Sequence, residues 1–317
     1  MGGGSSIRRS PTTKSNAEFI SSLQANFAQH SAPESDVTPT NGNGTAEPAQ
    51  VDYRTWTRQK DDVLEIPTLD LAESALAEER EQYDITVKLF YLPGASRDNR
   101  AAQTREAVEL VKKALNMPSI DLLIVSFPGI YFDEEEDCPD KISTRGPVEA
   151  DPEPLSGQLE AWQTLERLHE EGVVLRLGLA EFGKERLHSL LEQVKIKPSV
   201  NQINLRDCCS VPKDLMALAK SKSVELLVHN DCSNVLPRGT LRELLGPGST
   251  GAGVLTESSK TGDKRKSLHG EEATNGVSQG SMSGEVHPQW VIKYTAVVRN
   301  RGVVESKGYF AMAELEK

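Results

Sequence analysis

The sequence IDLLIV at residues 120–125 decides the fold class, because an almost continuous apolar run of this length predicts a strand buried on both faces. A similar run, ITVKLFYL, precedes it at residues 85–92. Between the two runs, apolar side chains recur with helical spacing at Ala107, Val108, Val111 and Leu115. A strand, a helix and a second strand in this order predict a βαβ unit, whose two strands are parallel.

The alternation of strand and helix continues towards the C-terminus. Further strands are predicted at residues 173–179, 200–205, 224–228 and 302–305, and residues 63–66 are an additional candidate. Apolar stripes between them predict helices, and residues 290–301 are also predicted as helix. Repeated βα units require a parallel sheet, so the sequence predicts an α/β fold of the (β/α)8 TIM-barrel type. An open doubly wound sheet is the alternative, although no predicted strand leads into a G-x-G-x-x-G turn.

Two segments have compositions that do not favour a packed core. Residues 1–50 are rich in Gly, Ser, Thr, Asn and Pro and are predicted as a disordered N-terminal tail. Residues 246–285 are rich in Gly and Ser and are predicted as a disordered low-complexity insertion, which leaves 51–245 and 286–317 for the barrel. Within the tail, apolar side chains at 18–27 follow helical spacing, either by chance or as a helix that folds onto a partner or the core.

The charge of the chain restricts its partners. The 317 residues include 36 Lys and Arg against 47 Asp and Glu, a formal net charge of −11, so nucleic acid and anionic membranes are not expected as partners. No apolar run approaches the ~20 residues of a membrane span and no leader opens the chain, so a cytoplasmic location is expected. The cysteines and histidines lack the spacing of a zinc site, and no metal is expected.

Several blocks resemble the aldo-keto reductase superfamily in order and spacing. Residues 120–128 resemble its fourth strand, residues 161–166 its W-x-x-L-E helix, residues 172–182 the strand and turn that follow, and residues 200–204 its V-N-Q-x-E strand. The resemblance covers roughly residues 84–245 and 288–308. It implies hydride transfer from a nicotinamide cofactor to a carbonyl, in which a Tyr assisted by a Lys and a His supplies the proton.

The chain departs from this family at the positions that carry the chemistry. Lys88 matches the catalytic Lys, but Ser126 stands where the family has its His, and residues 63–83 contain no Tyr in the family's proton-donor turn. Asn201 and Gln202 match the amides that face the nicotinamide. The resemblance therefore implies a relic pocket of Lys88, Ser126, Asn201 and Gln202 with no catalytic residue. We expect no cofactor, with residual NADPH binding as the alternative.

A narrower resemblance accounts for these departures. Residues 88–90, 201–209, 227–231 and 301–309 are similar to the family of regulatory (modifier) subunits of glutamate–cysteine ligase. That resemblance implies a non-catalytic protein that binds the catalytic subunit of the ligase. It further implies that binding improves the use of glutamate and eases feedback inhibition by glutathione. The alternative is an NADPH-dependent aldo-keto reductase with a degenerate active site.

Two groups of residues are candidates for partner or redox roles. Cys208 and Cys209 either exchange a disulfide with a partner or are small buried side chains after a strand. His229, Asn230 and Asp231 follow a predicted strand at the end where barrel enzymes carry functional loops, although Asn and Asp also cap loops. Lys88 is predicted to pair with a neighbouring carboxylate rather than to act as a catalyst.

Overall fold

The computed structural model describes residues 15–31, 51–71, 75–132, 150–205, 210–231, 234–247, 251–256 and 281–316. The helices are α1 Ser15–Ser31, α2 Arg100–Leu115, α3 Leu155–Glu170, α4 Lys184–Leu191, α5 Lys213–Ser221 and α6 Thr240–Leu245. The strands are β1 Arg58–Lys60, β2 Val63–Glu65, β3 Tyr83–Tyr91, β4 Ile120–Ser126, β5 Val174–Ala180, β6 Val200–Ile203, β7 Glu225–Val228, β8 Glu285–Val298 and β9 Val303–Glu316. None of these helices is both long and apolar enough to cross a bilayer.

The described chain forms two compact units. The larger unit holds the start of α1 with residues Asp70–Pro237 and His287–Glu314, and the smaller one holds Ile20–Leu69 and Arg238–Val286. A seven-stranded sheet lies in the larger unit, with the strand order β7-β6-β5-β4-β3-β8-β9. Strands β3 to β7 are parallel to one another, whereas β8 runs antiparallel to β3.

The parallel strands are buried as their sequences predict. All seven residues of β4 are buried. Helices α2 and α3 cover one face of the sheet, where Trp162 is fully buried and its indole Nε1 donates to the carbonyl oxygen of Ile196 at 2.8 Å. A smaller apolar cluster that contains Ile124 and Val200 lies apart from this main core. The predicted α/β fold with a parallel sheet is confirmed.

The C-terminal part of the sheet differs from the prediction. Residues 290–301 were predicted as helix, but residues 290–298 belong to β8, and that prediction is wrong. The stretch is rich in β-branched and aromatic residues, and its burial alternates through Ile292, Tyr294, Ala296 and Val298, as a strand requires. In the described residues five strands are therefore parallel, rather than the eight of a complete (β/α)8 barrel. The candidate strand at 63–66 pairs with β1 in the smaller unit.

Two segments predicted to lack order contribute packed residues. Residues 15–31, within the predicted tail, form α1, and its Phe27 ring lies 5.9 Å from the ring of Trp56 in the smaller unit. Val254 and Leu255, within the predicted insertion, are also buried in that unit. Helix α1 forms because its apolar stripe is buried, and the burial of large side chains offsets the conformational entropy that is lost when the chain becomes ordered. The boundaries of the predicted domains, 1–50, 51–245 with 286–317, and 246–285, stay predictions.

Candidate functional site

The sheet brings several charged and polar side chains from distant parts of the sequence into one buried group. Lys88 lies on β3, Gln202 on β6 and Lys293 on β8, while His229 and Asp231 follow β7. Glu181 follows β5. We call these six residues the Lys88 cluster. Parallel strands end at the same edge of a sheet, which is why Glu181 after β5 and His229 after β7 come close to each other.

The ammonium group of Lys88 is surrounded by polar atoms. Its Nζ donates to Gln202 Oε1 at 3.1 Å and to Asp231 Oδ2 at 3.2 Å, and it lies 3.3 Å from His229 Nδ1. Lys88 is only 4% exposed, and burial lowers its pKa, although the negative charge of Asp231 opposes this effect. The predicted pairing of Lys88 with a neighbouring carboxylate is present in the structure.

Asp231 separates two lysines that would otherwise repel each other. Lys88 and Lys293 stand directly opposite in the antiparallel pairing of β3 with β8, an arrangement that is unfavourable for like charges. The carboxylate of Asp231 accepts from Lys88 through Oδ2 and from Lys293 through Oδ1, the latter at 3.0 Å. Burial alone would raise the pKa of Asp231, but the two lysines outweigh it and lower the pKa to about 2.

His229 links Lys88 to a second carboxylate. Its Nδ1 accepts a hydrogen bond from the backbone N–H of Asp231 at 3.1 Å and also faces the ammonium of Lys88. Because both neighbours of Nδ1 are donors, a neutral ring carries its proton on Nε2. That nitrogen lies 2.6 Å from Glu181 Oε1, and the other oxygen of Glu181 accepts from the backbone N–H of Phe132 at 3.0 Å. Glu181 has a left-handed backbone, with φ at 69°.

The remaining predicted site residues have different surroundings. Asn201 is fully buried, and its side-chain amide bonds both the N–H and the carbonyl oxygen of Phe182, so it ties β6 to the turn after β5. Ser126 is buried at the end of β4, opposite Phe90 in the sheet register. Asn230 is exposed. Cys208 and Cys209 lie outside the described residues, and their predicted partner or redox role stays a prediction.

Sequence reasoning missed the part of the cluster that β8 supplies. Lys293 was not predicted as a site residue because residues 290–301 were predicted as helix. A single charged residue within the run WVIKYTAVV at residues 290–298 was the available signal, since an isolated lysine in a buried strand needs a partner. Among the described residues no group of His, Cys, Asp and Glu is arranged to hold a metal ion.

Asp231 gives the stability of the protein a defined dependence on acid pH. Its pKa is about 2 in the folded chain against 3.8 ordinarily, so ionised Asp231 stabilises the fold above pH 4, and this contribution is lost as the pH falls towards 2. The difference corresponds to about 2 kcal/mol. We expect urea unfolding of the wild type to show this loss between pH 5 and pH 2. Asp231→Asn should remove that part of the dependence, and an unchanged pH profile would contradict the ion pairing.

The fold and the site together define an α/β protein whose parallel strands carry a buried lysine bonded to Gln202 and Asp231. The model of the Aldo/keto reductase family matches residues 67–243, more than half of the chain, and the chain belongs to this family. It is 28% identical over 257 residues to the glutamate–cysteine ligase regulatory subunit of Mus musculus, covering 81% of this chain and 76% of that protein. Both resemblances predicted from the sequence are thus confirmed.

Reductases are also among the similar proteins, over shorter lengths. Aldose reductase B of Dictyostelium discoideum is 30% identical over 117 residues, which cover 36% of this chain and 37% of that protein. The solved structure of aldose reductase from Giardia lamblia is 26% identical and covers 47% of this chain and 46% of that chain, with a TM-score of 0.34. At that TM-score the overlap supports no conclusion about the site.

Proposed function

We propose that this chain is a non-catalytic regulatory subunit of glutamate–cysteine ligase. It binds the catalytic subunit in the cytoplasm, increases the apparent affinity of that subunit for glutamate and weakens feedback inhibition by glutathione. The similarity to a regulatory subunit extends over 81% of the chain, whereas the similarity to aldose reductase B extends over 36%.

The observation that carries the proposal is the environment of Lys88. A carbonyl reductase of this family needs a lysine that lowers the pKa of a tyrosine hydroxyl, so that the hydroxyl can donate a proton. The ammonium of Lys88 is instead engaged by Gln202 and Asp231. The hydroxyl of Tyr91 pairs with that of Thr104 and the hydroxyl of Tyr309 with Glu18, and burial raises the pKa of both tyrosines to about 12. These features favour a lysine that stabilises the fold over one that assists catalysis.

A regulatory role requires that binding differ between two states of the catalytic subunit. If the chain binds the glutamate-loaded state more tightly, it lowers the apparent KM for glutamate, and glutamate must strengthen the association by the same factor. If it binds the glutathione-inhibited state less tightly, it raises the concentration of glutathione needed for inhibition. The effect is then saturable in the concentration of the chain and needs no chemistry in the Lys88 cluster.

The deciding experiment adds the purified full chain to the purified catalytic subunit. We expect the apparent KM for glutamate to fall by about fivefold or more and the inhibitory concentration of glutathione to rise, both saturating with added chain. Lys88→Met, if folded, should keep these effects. Unchanged kinetics together with no co-elution of the two proteins on gel filtration would contradict the proposal.

The same preparations test the reductase alternative. NADPH is titrated by fluorescence, and the reduction of a small aldehyde is followed at 340 nm. We expect no turnover above that of a heat-treated sample. Saturable NADPH oxidation that Lys88→Met abolishes would favour the reductase.

A further inference from the structure

The first turns of α1 lie against β9 through an acidic and an aromatic side chain. Glu18 Oε1 accepts from Lys307 Nζ at 3.1 Å, and Glu18 Oε2 accepts from the hydroxyl of Tyr309 at 3.4 Å. The next residue, Phe19, packs its ring on the ring of Tyr309 with 5.1 Å between centroids. Two adjacent residues of α1 therefore contact two residues of β9. Glu18 bonds Lys307 and Tyr309, and Phe19 packs on the ring of Tyr309.

In the contact between α1 and β9, the aromatic side chain of Phe19 is buried and the carboxylate of Glu18 is charged. Phe19 is only 1% exposed. Burial alone would raise the pKa of Glu18, but Lys307 and Lys293 outweigh it and lower the pKa, so the carboxylate is ionised at neutral pH. Glu18 is also the acidic residue of the first turn of α1. A carboxylate bonded to an ammonium group and a phenol, within the field of a second lysine and next to a ring packed on another ring, is a specific pattern of recognition.

The same surface is continuous with the Lys88 cluster. The ring of Tyr309 lies 5.9 Å from Lys293 Nζ, and Lys293 in turn contacts Asp231 at 3.0 Å. Glu18 and Phe19 thus cover the side of β8 and β9 that leads to the buried charges. An event that lifts the start of α1 exposes Tyr309 and Lys293 together.

We propose that Lys293, Lys307 and Tyr309 form a recognition site for an acidic–aromatic residue pair on a helical segment, and that Glu18 and Phe19 fill this site within the chain. A segment of a second protein that presents Asp or Glu followed by an aromatic residue competes for it. The intramolecular ligand prevails while it is attached, because tethering gives it an effective concentration in the millimolar range. A helix as short as α1 is marginal in water alone, so losing these contacts should also release its first turns. The site does not depend on the ligase role.

The test uses the full chain with Glu18→Gln and Phe19→Ala combined, and Gln24→Ala as the control at an exposed position of the same helix. We expect amide hydrogen exchange within 15–21 to become at least about tenfold faster in the double variant and to stay unchanged in the control. A fluorescent peptide copying residues 15–21 should bind the double variant at least tenfold more tightly than the wild type. The same peptide with Gln and Ala at the two positions should not bind.

A charge-conserving variant separates recognition from a general loss of structure. Lys307→Glu places a carboxylate against Glu18 and should speed exchange in the first turns of α1, whereas Lys307→Arg keeps the positive charge and should leave exchange slow. Equal peptide binding by the wild type and the double variant, unchanged exchange in the double variant, or equally fast exchange in Lys307→Glu and Lys307→Arg would each overturn the proposal.

Discussion

Replacing Asp231 with alanine is expected to lower the free energy of unfolding by about 3–5 kcal/mol. The change leaves Lys88, whose side chain is 5% exposed, without its carboxylate, and Lys293 opposite it across the strands. Uncompensated buried charge is among the most destabilising effects of a single substitution. The measurement is urea unfolding followed by circular dichroism at pH 7, with the slope compared between variants.

A double variant separates the ion pair from the packing of the side chains. Asp231→Leu combined with Lys88→Met removes both charges and keeps the volume, so most of the loss should be recovered. The control is Asp214→Ala, which removes the exposed partner of Lys184 and should cost less than about 1 kcal/mol. If Asp231→Ala costs no more than this control, the carboxylate does not hold the two lysines in the folded protein.

The sequence predicts most of the parallel sheet because its signals there are local. The burial of β4 follows from its own composition, and the stripes of α2 and α3 follow from helical spacing. The identity of β8 depends instead on pairing with β3, more than 200 residues away, as between Lys88 and Lys293. An apolar run that begins WVI fits a helix or a strand equally well until such pairing is known.

The candidate site shows the same division between local and non-local information. His229 and Asp231 were candidates because they follow the end of a strand. Lys88, in a buried strand, required a carboxylate partner, but the sequence does not show which carboxylate this is. Glu181 joins the group because the left-handed backbone at that residue turns the chain after β5. Phe19 illustrates the opposite case, since the stripe on α1 was visible in the sequence while the surface that receives it was not.

A second carboxylate at a different position organises the entry into β3. Asp121 on β4 is buried, and its Oδ2 accepts from Arg80 Nη2 at 2.6 Å and from the backbone N–H of Ile85 at 2.7 Å. Its Oδ1 accepts from Arg299 Nη2 at 2.7 Å, beyond the end of β8. One side chain therefore holds the segment before β3, the start of β3 and the turn after β8.

Asp121→Ala is expected to lower the free energy of unfolding by about 3 kcal/mol, measured in urea at pH 7. The buried N–H of Ile85 loses its acceptor, and Arg80 loses its carboxylate although it keeps the carbonyl oxygens of Ser119 and Tyr83. Asp121→Asn should cost less, because its amide oxygen can still accept from Ile85. The matched control is Asp84→Ala at an exposed position near the start of β3, which should change stability by about 0.5 kcal/mol or less. Equal losses of stability for Asp121→Ala and Asp84→Ala would mean that the amide of Ile85 finds another acceptor. If Asp121→Ala is less stable than Asp121→Asn, and Asp121→Asn is less stable than the wild type, the backbone amide of Ile85 is the group that needs this acceptor.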